Sequence, residues 1–186
     1  MLMRFDPFRD VERWAHQLSG GTRHALMSMD AYRQLLETHP DHWGLHAEAA
    51  RLLNTIGDHA GAAAVASAGL EANPISLELM SELGDAHFFG GAVHEAHRWF
   101  ATACELAPDS PQAHFNLSFP LGRRGQRAEA LAAIAAGLAL DRKGEWRERL
   151  LARQGELLAE MEAERRRTAA KTQDRSGPWR LVADER

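Results

Sequence analysis

A repeat of fixed length restricts the fold of this chain more than any other feature. Shifting the 186-residue sequence by 34 residues brings Gly57, Gly91 and Gly125 into register. The same shift aligns Ala62, Ala96 and Ala130, then Leu70, Cys104 and Leu138, and it pairs Pro74 with Pro108. One period further back lies Pro40. No position slips across roughly a hundred residues, so the chain reads as an array of equivalent units.

Each unit reads as two helices. In the central one, Leu79, Leu83, Ala86 and His87 recur at helical spacing before Gly90-Gly91 breaks the pattern. Val93, Ala96, Phe100, Ala103 and Cys104 form a second stripe, which Pro108 closes. A glycine can end a helix in the left-handed conformation, and a later proline marks where the second helix stops. The alanines at 62, 96 and 130 remove bulk where the two helices of a unit cross. Helix pairs are predicted at 43–56 with 59–72, 77–90 with 93–106, and 111–124 with 127–140. Asp30 to Thr38 reads as the second helix of an earlier unit, with Tyr32 and Leu35 on its apolar side. Residues 145–167 read as a longer polar helix whose Trp146, Leu150, Leu151, Leu157 and Leu158 cover the open end.

The central unit carries Leu83-Gly84, then His87, Ala96, Phe100, Ala103 and Pro108, and this pattern resembles the tetratricopeptide repeat family. The flanking units depart from it. Ala49-Ala50 and Leu117-Ser118 stand in place of Leu-Gly, and Arg142 in place of the closing proline. The resemblance spans about residues 28–165 and implies an all-α superhelix. It would comprise three helix pairs, a preceding half repeat and a C-terminal capping helix. The expected organisation is an amphipathic arm and joint over 1–27, an array over 28–144, the capping helix over 145–167 and a flexible tail over 168–186. Within the array lie the half repeat 28–42 and the repeats 43–76, 77–110 and 111–144. Pro120 falls inside a predicted helix, where proline removes a hydrogen bond and clashes with the preceding turn. A kink or an early end near Ser118-Phe119 is expected, either simply tolerated by the fold or opening the groove beside Phe119.

The first residues follow another pattern. Met3-Arg4-Phe5-Asp6-Pro7-Phe8-Arg9, within residues 1–33, resembles the amino-terminal arm of bacterial small heat shock proteins. The β-sandwich that follows that arm in the family is absent, so the resemblance implies only an adhesive, partner-seeking segment. Physically, Asp6 can cap a helix with Pro7 at its first position. Phe5, Phe8, Val11, Trp14 and Leu18 are the expected arm anchors, and Ser19-Gly20-Gly21-Thr22 reads as a flexible joint. Packing as a cap on the first unit, filling a groove, and self-association through residues 1–18 all remain open to such a segment.

The resemblance implies a concave face lined by the first helix of each pair, with a protein or peptide as its ligand. Candidate residues there are Arg51 and Asn54, then Glu78, Glu82, Asp85, Phe88 and Phe89, then Phe115, Asn116 and Phe119. Ala47, Ser81 and Gln112 belong to the same set. Residues 42–141 carry 5 basic and 11 acidic side chains, whereas 142–186 carry 12 basic and 9 acidic. An acidic body with no lysine in the groove opposes an acidic ligand. It suits a peptide that offers arginine to the carboxylates and rings to the phenylalanines. The expected function is a non-enzymatic adaptor, a co-chaperone or proteostasis scaffold contacting a chaperone-system component. The alternative is a structural module in which the arm assembles copies of the chain.

Other chemistry is thinly represented. His42 with His46 and His94 with His97 could share helix faces, but no acid or cysteine completes a third ligand, so no metal or cofactor is expected. Cys104 sits at the buried leucine position of its repeat, and no phosphate loop or nucleophile elbow is present. Catalysis is therefore not expected. Arg165-Arg166-Arg167 follows Glu160, Glu162 and Glu164 and reads as a solvated helix end, so nucleic acid is not an expected partner. No stretch matches a membrane span or a signal core, and the lone cysteine suits a reducing cytoplasm.

Overall fold

The computed structural model describes residues 31–175, which form two compact units divided between Pro108 and Asp109. No strand occurs among the described residues. The arm anchors Phe5, Phe8, Val11, Trp14 and Leu18 lie outside them, as does the tail beyond residue 175.

The first unit contains α1 (residues 31–38), α2 (Trp43–Ile56), α3 (His59–Ala72), α4 (Leu77–Phe89) and α5 (Val93–Leu106). Helices α2 and α3 pair, as do α4 and α5, and α4 also packs on both α2 and α3. The second unit contains α6 (Pro111–Arg123), α7 (Arg127–Leu140) and α8 (Arg147–Arg175), with α7 packed on both α6 and α8.

The 34-residue period is reproduced in the hydrogen bonds. At the turn inside each pair, the amide of Asp58 donates to Leu53 O, that of Ala92 to His87 O and that of Gln126 to Leu121 O. These six-to-one bonds require a left-handed residue just before the donor, and Gly57, Gly91 and Gly125 supply it with φ of 87°, 87° and 77°. The N-caps repeat as well. Ser76 and Ser110 hydroxyls accept from the amides of Leu79 and Ala113, each at 3.3 Å, and His42 Nδ1 accepts from Leu45 at 3.2 Å.

Packing explains the small residues. Ala62, Ala96 and Ala130 are fully buried at their helix crossings. A Cβ on Gly84 would lie under 3.0 Å from three atoms of the buried Phe100 ring, so the Leu83-Gly84 pair lets α5 approach α4 through that ring. Ala47, expected on the concave face, is instead buried with Ala50, Ala66, Leu79 and Leu83. A methyl group at a close crossing is drawn into the core and leaves the groove to its longer neighbours.

Three further expectations change in the second unit. Helix α6 does not end at Ser118-Phe119 but runs through Pro120 to Arg123, and Arg124 N donates to Pro120 O at 3.0 Å. The proline removes one donor from the ladder, while full burial of Ser118 and Pro120 holds the rest in place. Helix α8 begins at Arg147, because the Asp141 carboxylate accepts from Trp146 N at 3.1 Å and Gly144 turns with φ of 76°. It then runs on to Arg175 and not to 167, since the first breaker after Gly155 is Gly177-Pro178. Of the five apolar residues expected to cover the open end, Leu150 and Leu157 are fully buried and Trp146 packs against them. Leu151 and Leu158 point to solvent, 48% and 51% exposed.

Candidate functional site

In the first unit, five of the residues singled out above lie side by side on α2 and α4. Glu78, Glu82, Asp85 and Phe89 are spaced by four, three and four residues, which places them on one face of α4. Asn54 of α2 reaches across to this face. Its amide donates to the Glu82 main-chain oxygen at 2.9 Å and to Glu82 Oε2 at 3.1 Å. Asn54 Oδ1 lies 3.4 Å from His59 Nδ1. The His59 ring stacks on Phe89 with centroids 5.7 Å apart, and Phe88 meets Phe89 edge-on at 5.4 Å. Phe89 is nonetheless 63% exposed. An apolar ledge thus projects beside two carboxyl groups.

Those carboxyls are electrostatically strained. Burial pushes Glu82 up to about 7, and the nearby Asp85 charge adds to this against the bond from Asn54 and the charge of Arg51. Burial pushes Asp85 up to about 6. For Arg51, burial works against the charge. The bond to Glu48 and the carboxylates of Glu48 and Glu82 more than offset it, so the guanidinium pKa stands above its ordinary value. Arg51 is directed to an acid already and Glu78 is exposed. The pair Glu82 and Asp85 therefore carries charge that a docking cation would stabilise further.

The second unit holds Phe115, Asn116 and Phe119, all half-buried. Phe115 touches Phe119 edge-on at 5.0 Å and Trp146 at 5.6 Å, and it packs against the unit's core. Phe119 lies beneath the Arg153 guanidinium, 4.5 Å from ring to cation. Sequence reading missed Arg153. It is only 8% exposed, bonds Glu156 at 2.8 Å, and fits because Gly122 has no Cβ to meet it. The signal available for it was an arginine three residues after a buried leucine on an otherwise polar helix.

The remaining candidates resolve into structural roles. His42 caps α2, while His46 is buried with Nε2 2.8 Å from Pro40 O and Nδ1 3.1 Å from Val65 O. Both rings of that pair are committed to backbone. No group of three metal-ligating side chains occurs among the described residues. The Cys104 thiol is half-buried and burial pushes it up to about 11, which keeps it protonated and unreactive near neutrality. An open cleft of about 880 Å³ runs between the start of α7 and the distal half of α8, lined by Arg127, Met161, Glu164, Thr168 and Thr172 among others. The Arg127–Glu164 ion pair at 2.8 Å spans it. No helix of the described residues is long and apolar enough to cross a membrane.

No protein-family model matches the chain. Among curated proteins, 33 residues are 58% identical to the 18 kDa antigen 2 of Mycobacterium avium, covering 18% of this chain. The chain spans about a quarter of the length of the curated relatives it matches. Solved structures cover far more of it. MamA from Desulfovibrio magneticus superimposes with a TM-score of 0.59 at 19% identity, over 65% of this chain and 68% of that one. The TPR2B domain of yeast Sti1, solved in complex with an Hsp70 peptide, gives 0.56 at 19% identity over 62% and 98% of the two chains. The Yersinia enterocolitica secretion chaperone SycD, bound to a peptide of the translocator YopD, gives 0.56 at 18% identity over 62% and 92%.

Proposed function

With its all-α fold that of the tetratricopeptide repeat, we propose that the chain is a non-enzymatic adaptor. It takes a peptide rich in arginine and aromatic side chains against α2 and α4. The observation that carries this reading is the juxtaposition of Glu82 and Asp85 with the exposed Phe89 ledge. A guanidinium entering beside the two carboxyls restores charge that burial disfavours, while an aromatic side chain covers Phe89 and His59. Glu78 extends the acidic strip toward solvent, and Arg51 with Asn54 closes its other edge. Phe115, Asn116 and Phe119 serve the same ligand class from the second unit.

Peptide complexes of Sti1 and SycD support a peptide ligand and a role beside a chaperone system. The acidic lining selects against an acidic tail and for a basic client or co-factor protein. Residues 1–18, with Arg4, Arg9 and Arg13 among aromatics, carry the same ligand chemistry and would compete for the site, in the same or a neighbouring copy.

Fluorescence anisotropy with a labelled peptide bearing two arginines and two aromatic residues tests the reading. Glu82→Lys or Phe89→Ala should raise its Kd about tenfold or more. The same peptide with glutamates in place of the arginines should not bind. Equal affinity for both peptides, or no effect of either substitution, refutes the proposal.

A further inference from the structure

Helix α8 has two apolar faces. One is buried, where Leu150, Arg153 and Leu157 meet the core of the second unit. The other lies on the opposite side of the helix and consists of Leu151, Ala152, Gly155, Leu158 and Ala159, all exposed. Leu151 and Leu158 stand one heptad apart, as do Glu148, Gly155 and Glu162, so the stripe follows the seam of a helix pair over two heptads. A Cβ on Gly155 would meet nothing within 4 Å, so the missing side chain leaves a gap in the stripe between Leu151 and Leu158.

We propose that this face pairs with the same face of a second copy of the chain, the two α8 helices running antiparallel about a two-fold axis. The charges along the helix choose both partner and direction. Glu148 closes the stripe at its amino-terminal end, and Arg165 with Arg166 closes it at the other, all on or beside this face and all exposed. An antiparallel pair centred between residues 156 and 157 sets Leu158 of each helix over Gly155 of its partner. The same register brings Glu148 opposite Arg165 and Arg166 at both ends. A parallel pair would set like charges against each other throughout. Self-complementarity of this kind is what an isologous two-fold interface demands. Glu162 holds Arg166 at 2.5 Å from within the chain, which keeps that arginine extended along the seam. On the buried side, Arg127 pairs with Glu164, so the distal half of α8 is anchored to α7 while its outer face stays free.

Sedimentation equilibrium of the full chain from about 1 to 200 µM tests the pairing. A reversible monomer–dimer equilibrium is expected. Leu158→Glu should abolish the dimer in that range, and Gly155→Leu should raise its Kd about tenfold or more by filling the gap. Both substitutions lie at exposed positions, and an unchanged far-ultraviolet circular dichroism spectrum confirms that each variant is folded. Glu148→Arg alone, and Arg165→Glu with Arg166→Glu, should each weaken association by a similar factor. Mixing the two variants should restore a dimer containing one of each. A wild-type chain that is monomeric at the highest concentration overturns the proposal, as does a dimer indifferent to Leu158→Glu and Gly155→Leu. Failure of the mixed variants to pair overturns the antiparallel register. Association that disappears with Phe8→Ala and Trp14→Ala but ignores the α8 variants would assign self-assembly to the arm and also overturn this interface. Peptide binding at α4 is read separately, so neither result decides the other.

Discussion

Glu82→Gln isolates the electrostatic strain on which the proposed peptide site depends. In the folded chain Glu82 titrates at about 7, against an ordinary value of 4.5, and burial is the main cause. A carboxyl raised in this way is neutral in both states below pH 4.5, so it costs nothing there. As pH climbs from 4.5 to 7 the unfolded chain ionises and the folded chain resists, and stability is lost across that window. The full difference would be about 3 kcal/mol. Because Glu82 is only half-buried and solvent screens its charge, about 1–2 kcal/mol is the working figure. The amide of a glutamine keeps an acceptor for Asn54 and carries no charge. The variant should therefore match the wild type near pH 4 and exceed its melting temperature by about 3–6 °C at pH 8. Thermal unfolding followed by circular dichroism at several pH values reads this directly. The same substitution should weaken the arginine-bearing peptide, since the charge that strains the fold is the one the ligand uses. A difference independent of pH, or a variant less stable than the wild type at pH 8, would refute the reasoning.

Gly84→Ala should cost about 1–3 kcal/mol, because its Cβ would press on the buried Phe100 ring; an unchanged urea midpoint would mean that the ring can retreat. Ala96→Trp should destabilise the first unit by at least as much, since Ala96 is fully buried at the α4–α5 crossing, and differential scanning calorimetry would register the loss. Cys104, pushed up to about 11, should react with iodoacetamide at pH 8 roughly a hundredfold more slowly in the folded chain than in urea. Equal rates would place the thiol in solvent.

The parts of the fold legible in the sequence are those that must recur. Left-handed glycines, crossing alanines and capping residues at 42, 76 and 110 are fixed by backbone geometry, so they keep the period and betray it. The helix bounds followed to within a residue or two inside the array. The capping helix was less readable because its apolar positions do not follow the 34-residue frame. Leu150 and Leu151, like Leu157 and Leu158, are neighbours about 100° apart on one helix, so one of each pair faces solvent, and Arg153 comes inward with Leu150 and Leu157. Pro120 misled for a related reason. Local propensity argues for an ending there, whereas the burial of Ser118 and Pro120 supplies the tertiary packing that overrides it. The acidic side chains of the candidate site were legible as residues, but their strain was not, since it arises from burial and from Asn54 on another helix.

The contrast between recurring and non-recurring positions bears on function. At sites 34 residues apart the chain places Glu48, Glu82 and Asn116, then Arg51, Asp85 and Phe119. Neither triplet keeps one charge, and the second keeps neither size nor polarity, although each occupies one place in a frame whose glycines and alanines do not vary. A helix pair needs small residues at its crossing and a left-handed residue at its turn, and it needs nothing in particular on the face turned away from both. Variation on that face is therefore free of the fold. In the first unit it assembles Asn54, Glu82 and Asp85 at a cost in stability that packing alone does not require. Two carboxyls whose charge burial disfavours would be replaced at little structural expense by alanine or glutamine. Their presence beside an exposed phenylalanine is the feature that the proposed arginine-bearing ligand would use.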